Sequence, residues 1–298
     1  MVSALAAVLA RWLRWRGRGS RRSARPRDPL AVYDSFGALD RQGQVPAGDD
    51  VPYTACFGDA RVGLSAATVR GRRHRAAGVR CEDAHRCVVL RDGQVLIAVS
   101  DGVGSSRCAD IGARLSTMAA IDYLMNACEL DVEPPLEGAL SAARRRLESY
   151  AQGRCILLED LACTLLLAVF RGGRLYTARI GDGGIVIARG GEWSVATAPA
   201  RASRYVTPLT TADWRARWDH GRFEEVEGVC VFTDGLERAY LYARDGEHEV
   251  VEHVHAAAAD SDTPEHGMQA LCDELLGPTF EGLSDDDKTL VVLWRSAG

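Results

Sequence analysis

The sequence predicts an α+β protein built from antiparallel sheets with helices on the outside. Three observations point there. Two pairs of short apolar runs are each joined by a tight glycine-containing turn, the signature of β-hairpins. Two stretches with helical periodicity lie between those pairs, which is not the regular βαβ alternation of a parallel sheet. Neither G-x-G-x-x-G nor G-x-x-x-x-G-K-[ST] occurs, so the Rossmann and P-loop readings fall away.

Along the chain, residues 1–60 read as an arginine-rich tail and linker, and a domain is expected over 61–298. Ala4–Ala10 is apolar and is followed by eight arginines from Arg11 to Arg27. A secretory signal carries its positive charge before the apolar run, the reverse of this order, and spanning a bilayer takes about 20 apolar residues. A basic amphipathic helix over residues 2–16, touching an anionic membrane surface, competes with a disordered tail, and the disordered tail is the favoured reading. Residues 1–30 carry +7 and, with the whole chain at −5, the remainder carries −12. An acidic body argues against nucleic acid as a partner and suits a site that gathers cations. The nine cysteines, with no C-x-x-C pair, read as reduced thiols in a cytoplasmic protein.

From Arg61 onward the elements follow in turn. Arg86–Leu90 and Val95–Ser100 flank Arg91-Asp92-Gly93-Gln94, with the Asp-Gly where a hairpin turns. Ile111, Leu115, Met118, Ile121 and Met125 step by three and four, as do Leu136, Leu140, Ala143 and Leu147, which predicts two helices. Thr164–Phe170 and Leu175–Ile180 form a second hairpin about Arg171-Gly172-Gly173, and Ile185–Ala188 a further strand. Residues 197–228 have no clear period and are read as an irregular excursion in which Trp214 and Trp218 plug the core. Val229–Thr233 is a strand, helical stretches lead through Met268, Leu271 and Leu275, and Thr289–Trp294 is the last strand.

The aspartates stand out by position. The run from Val95 ends in Asp101-Gly102, that from Val229 ends in Asp234-Gly235, and Asp286-Asp287-Lys288 immediately precedes Thr289. In an antiparallel pair, the end of one strand lies beside the start of its neighbour. Suitable pairing therefore gathers Asp101, Asp234 and Asp286 on one sheet edge, with Asp182 nearby. Converging carboxylates repel unless a cation sits among them, and an all-oxygen set favours Mg²⁺ or Mn²⁺. A single Asp-Gly after a strand is most simply a turn; three feeding one edge favour a site.

Glu82-Asp83-Ala84, Asp101-Gly102-Val103-Gly104-Ser105, Thr164, Ile180-Gly181-Asp182-Gly183, Phe232-Thr233-Asp234-Gly235-Leu236 and Asp286-Asp287-Lys288-Thr289 occur in an order and spacing that resembles the metal-dependent type 2C protein phosphatases. Gly71–Ala84, with His74 and Gly78, looks like a bacterial branch of that family. The resemblance covers residues from about 65 to 295. It implies an αββα sandwich of two packed antiparallel sheets flanked by helices, with a binuclear Mn²⁺ or Mg²⁺ centre at one end. By position, Asp101 bridges the two ions and the Gly102 carbonyl ligates one; Asp234 and Asp286 hold one ion, and Glu82 and Asp83 serve the other directly or through water. Asp182 matches a residue associated with a third, weaker ion. Asp101, Asp234 and Asp286 are thus the expected catalytic set.

Two departures from the family pattern matter. An arginine that grips the substrate phosphate is usually found four residues before the glutamate; here that position is Gly78, and Arg80, Arg73 or Arg75 must substitute. Val103 stands where many eukaryotic relatives carry a histidine. The expected reaction is attack of a metal-activated water on a phosphoserine or phosphothreonine ester, with two ions about 3.5–4 Å apart. A serine/threonine kinase or its targets are the expected partners.

The rival reading is a pseudophosphatase that senses phosphate or binds a partner. Cys108 to Arg114 spells Cys-x₅-Arg but enters a helix with only Gly112 between, and reads as coincidence. Asp285, Asp287 and Thr289 fit Asp-x-Asp-x-Thr but precede a strand, which aims them wrongly for an aspartyl-phosphate. His253 and His255 read as surface histidines, and Lys288 as balancing local acidity.

Overall fold

Among the described residues, the alternation read from the sequence resolves into twelve strands. The computed structural model describes residues 29–34, 53–58, 62–128, 132–197, 206–241 and 264–295. In chain order the elements are β1 (Pro29–Asp34), β2 (Tyr53–Gly58), β3 (Val62–Val69), α1 (Arg72–Ala77), β4 (Asp83–Leu90), β5 (Val95–Asp101), α2 (Ala109–Ala127), α3 (Leu136–Arg154), β6 (Leu165–Arg171), β7 (Arg174–Ile180), β8 (Gly184–Arg189), β9 (Glu192–Val195), β10 (Asp219–Phe223), β11 (Gly228–Phe232), α4 (Glu237–Tyr240), α5 (Pro264–Leu275), α6 (Pro278–Leu283) and β12 (Lys288–Arg295).

Two six-stranded sheets result, ordered β1-β4-β5-β6-β7-β10 and β2-β3-β12-β11-β8-β9. All the strand pairings are antiparallel. Period two along each strand divides its side chains between two apolar layers. On β5, Leu96 and Ala98 pack against α2 and α3 with Ile121, Leu124, Leu140 and Leu147, while Val95, Ile97 and Val99 face the other sheet. On β11, Val229 and Val231 face inward; Cys230 and Phe232 pack outward with Tyr240, Leu271, Leu275 and Phe280. Burial on both faces explains why these strands read as continuous apolar runs. The layers are helix, sheet, sheet, helix, as the resemblance implied.

Two expectations need correction. The stretch taken as tail and linker contains β1, which pairs along the edge of β4, and β2, which pairs along the edge of β3, so the domain reaches back beyond residue 61. Edge strands need only one partner and tolerate proline at their start, as at Pro29, and their sequence signal is correspondingly weak. The excursion over 197–228 likewise contains β10, an exposed strand on the edge of β7. Trp214 does plug the core, 3% exposed under α2 and α3, with Trp218 packed against the same cluster. The described cysteines are free thiols, most of them buried. The arginine-rich tail, His253 and His255 lie outside the described residues. Among the described helices none is long and apolar enough to cross a membrane.

Candidate functional site

Strand ends from both sheets deliver the aspartates. β5 finishes at Asp101, directly opposite Asp83 at the start of β4. In the other sheet Phe232 of β11 lies opposite Leu290 of β12, so the end of one strand meets the start of the next. That pairing brings Asp234, which opens a 3₁₀ turn over Asp234–Leu236, towards Asp286 and Asp287. The carboxylates, expected on one sheet edge, converge instead on one end of the sandwich, across the gap between sheets. Asp182 arrives from the β7–β8 turn, where Gly181 and Gly183 adopt φ of 98° and 76°, which favour glycine. Gly235 leaves no room for a side chain, because a Cβ there would lie 2.0 Å from the Asp287 carbonyl oxygen.

Asp101, Asp182 and Asp234 each offer an oxygen within 4.8 Å of the others. Burial is the first cause of their raised carboxyl pKa values, and repulsion by neighbouring carboxylates the next. Asp101 is pushed well above the usual carboxylate range by burial, then by Asp83, Asp234 and Asp182. Asp234 rises to about 7 through burial, Asp182 and Asp286. Asp182 rises to about 6 through burial and Glu237. Glu82 also rises to about 6 by burial, partly offset by His74. Buried Oδ1 of Asp182 and Oε2 of Glu82 have no hydrogen-bond partner. Buried acceptors without donors are costly unless a cation meets them, so this donor set fits divalent metal ions.

A second group, His74, Asp286 and Asp287, also brings its ligand atoms within 4.8 Å. Asp287 works as a strut. Its carboxylate accepts the N–H groups of Gly71 at 2.6 Å and Glu82 at 2.7 Å, and His74 Nδ1 at 2.9 Å. Although burial acts to raise the Asp287 pKa, the hydrogen bonds from His74, Gly71 and Glu82 hold it below the ordinary value. The same bond to Asp287 raises the His74 pKa.

Asp83 is placed differently from the other acidic candidates. It is 3% exposed, and its Oδ2 accepts the hydroxyls of Thr233 at 2.7 Å and Thr289 at 2.9 Å. The hydroxyl of Thr289 meets Thr68 at 2.8 Å, and Thr68 meets His85 Nδ1 at 2.8 Å. The chain of bonds ties β4 to the opposite sheet directly behind Asp101. Lys288 is fully buried and donates to the Asp286 carbonyl at 3.1 Å, 3.6 Å from Glu281, so it braces the Asp286 loop as well as balancing charge. The roles of His74, Asp287 and Thr233, and the bracing half of Lys288's, were not read from the sequence; His74 in Gly71–Ala84 was the nearest signal.

The three candidate arginines separate cleanly. Arg75 is committed to Glu281, both contacts at 3.0 Å, and also donates to the Arg70 carbonyl. Arg80 is half-exposed, with Asp110 3.8 Å away. Arg73 alone reaches the acidic cluster, with Nη2 3.0 Å from both oxygens of Asp286.

A family profile described as protein phosphatase 2C matches residues 70–275. The chain belongs to the protein phosphatase 2C family. Serine/threonine-protein phosphatase 3 of Escherichia coli (strain K12) is 29% identical over 248 residues, covering 76% of this chain and 96% of the relative. Among solved structures of similar fold are the Mycobacterium tuberculosis serine/threonine phosphatase PstP/Ppp (19% identity, TM-score 0.55, 80% of this chain and 100% of that one) and the catalytic domain of PstP in complex with two manganese ions (18%, 0.56, 80% and 99%). PppA, a regulatory component of the Pseudomonas aeruginosa type VI secretion system, is a third (18%, 0.56, 78% and 97%). Protein phosphatase 2C chains are metal-dependent serine/threonine phosphatases, hydrolases acting on phosphoproteins, and none of these relatives favours the pseudophosphatase reading. Glu82, Asp101, Asp182 and Asp234 fall within the matched segment; Asp286 lies beyond it, on a strand paired with the matched β11.

Proposed function

We propose that this protein phosphatase 2C chain removes phosphate from phosphoserine and phosphothreonine at the Asp101 end of the sandwich, using two Mn²⁺ or Mg²⁺ ions. One observation carries the residue assignment: three carboxylates with raised pKa values, drawn from separate strand ends, place their oxygens within 4.8 Å of one another. Asp101 and the Gly102 carbonyl would hold the ions together with Asp234 and Asp286 on one side and Glu82 on the other. Asp182 would hold a third, weaker ion. When bound, the ions activate water and screen the charge of the phosphate.

The remaining work belongs to the chain itself. Thr164 receives the Asp101 N–H on its hydroxyl at 2.9 Å and donates its own N–H to the Asp101 carbonyl at 2.7 Å, fixing the strand end that carries the central carboxylate. Asp83, occupied by two threonine hydroxyls, acts as a positioning residue behind Asp101. Asp287 holds the backbone of Glu82 and the loop of Asp286 at a set distance. Val103, where many eukaryotic relatives carry a histidine, itself offers no proton.

Free thiols fit a reducing cytoplasm. An opposing serine/threonine kinase, or its targets, and a membrane-surface contact of the arginine-rich tail belong to the same reading. Hydrolysis of p-nitrophenyl phosphate and of a phosphothreonine peptide, with Mn²⁺, Mg²⁺ or EDTA, tests it beside Asp101→Asn. Metal-dependent turnover that disappears in the variant is expected. Folded wild-type protein that turns over neither substrate with any metal overturns the proposal.

A further inference from the structure

We propose that Arg73 is the phosphate-gripping residue of this enzyme and that it is held in reserve on Asp286, from which cation binding releases it. The inference rests on the phosphatase reading above and adds a residue and a coupling to it.

The position where the family pattern expects an arginine has been given to a different task. Gly78 caps α1 with φ of 66°, a conformation that side chains rarely adopt, and its N–H bonds to the Arg75 carbonyl. A guanidinium must therefore come from elsewhere. Arg73 stands at the start of the same helix, and its backbone N–H is pinned to the Asp285 carbonyl at 2.9 Å. Its side chain is half-exposed and reaches the mouth of the site. A Cβ built on Gly104 would lie 3.4 Å from Glu82 Oε2 and 3.8 Å from Arg73 Nη2. Arg73 thus shares a few ångströms with Glu82, Asp286 and the turn that follows Asp101.

Its present partner is also a proposed metal ligand. One nitrogen, Nη2, spans both oxygens of Asp286 at 3.0 Å, and those are the oxygens a cation would draw on. The two partners compete. A solvent-exposed ion pair is weakly held, whereas a divalent ion gains from several carboxylates at once. Metal at Asp286 also repels the guanidinium, which retains its full set of planar donors, the geometry that suits a phosphate dianion. Cation loading and phosphate binding are then linked through one side chain: the residue that keeps Asp286 neutralised becomes the residue that receives substrate.

The test needs no turnover for its first reading. Mn²⁺ is titrated calorimetrically into metal-free, full-length protein for wild type, Arg73→Gln and Arg72→Gln, the last removing an equal charge from an exposed neighbour on the same helix. Arg73→Gln should bind Mn²⁺ about two- to fivefold more tightly than wild type, as removal of a competing ion pair requires. Arg72→Gln should shift it clearly less. At saturating Mn²⁺, Arg73→Gln should raise KM for p-nitrophenyl phosphate by roughly tenfold or more, the loss expected for a charged hydrogen-bonding group. Opposite movements of metal affinity and substrate affinity support the proposal. Equal Mn²⁺ affinities in the two variants, or an unchanged KM in Arg73→Gln, overturn it while leaving the phosphatase intact. Wild-type protein that neither binds Mn²⁺ nor turns over substrate sinks the underlying reading instead.

Discussion

Asp234→Asn should stabilise the metal-free protein while removing a metal ligand, and the site sets the size of the gain. Burial, followed by the charges of Asp182 and Asp286, raises the Asp234 carboxyl from 3.8 to about 7. The folded pKa lies above the unfolded one, so between pH 4 and 7 the folded chain holds more protons than the unfolded chain. Stability contributed by this group therefore falls as pH rises through that window, and the whole cost is present above pH 7. At about 1.4 kcal/mol per pH unit, the cost of keeping the carboxylate ionised in the fold is roughly 4 kcal/mol at pH 8. It shrinks to about 1–2 kcal/mol at pH 5. Asparagine keeps the shape and removes the charge. Urea denaturation in EDTA at the two pH values measures the difference. The variant should be the more stable protein at pH 8, with most of its advantage gone at pH 5. Equal or lower stability at pH 8 would refute the repulsion argument, and a gain independent of pH would assign it to packing instead.

Other outcomes follow from neighbouring contacts. Mn²⁺ affinity should drop steeply between pH 8 and 5.5, because the carboxyls of Asp234, Asp182 and Glu82, raised to about 7, 6 and 6, must lose protons to bind a cation. Calorimetry in buffers of different ionisation enthalpy should show proton release at pH 6.5. Thr233→Val strips one of two hydroxyls from the buried Asp83 carboxylate and should cost about 1–3 kcal/mol in chemical denaturation. Gly235→Ala forces a methyl against the Asp287 carbonyl, with a loss of about 1–3 kcal/mol expected from the same assay and weaker Mn²⁺ binding from calorimetry.

Much of this architecture was legible in local chemistry. Asp92-Gly93 and Gly172-Gly173 mark two hairpins that the fold contains, and the three-four spacing of Ile111 to Met125 marks α2. The acidic residues could be found because each sits close to where an apolar run starts or stops. What local pattern could not supply was pairing at long range. β1, β2 and β10 are edge strands, held by a partner on one side, and nothing in their own residues names that partner. Asp287 and His74 lie 213 positions apart and meet only because β12 lies beside β3, whose end leads into α1. The resemblance paired Asp83 with Glu82 as serving an ion, directly or through water. Asp83 opens β4 whereas Glu82 precedes it, and the threonines that occupy Asp83 come from the opposite sheet.

Among the described residues the two sheets share no backbone ladder; each pairs only within itself, and a slab of mainly valine, isoleucine and leucine side chains keeps them apart. Asp101 rides on one slab face and Asp234 and Asp286 on the other. The gap that the cations must fill is therefore gauged by the thickness of the oil between the sheets. A methyl group removed at Ile97 or Val231, out of reach of any phosphate, should weaken Mn²⁺ binding as well as stability. Core volume in this molecule thus bears on ligand geometry at the catalytic end.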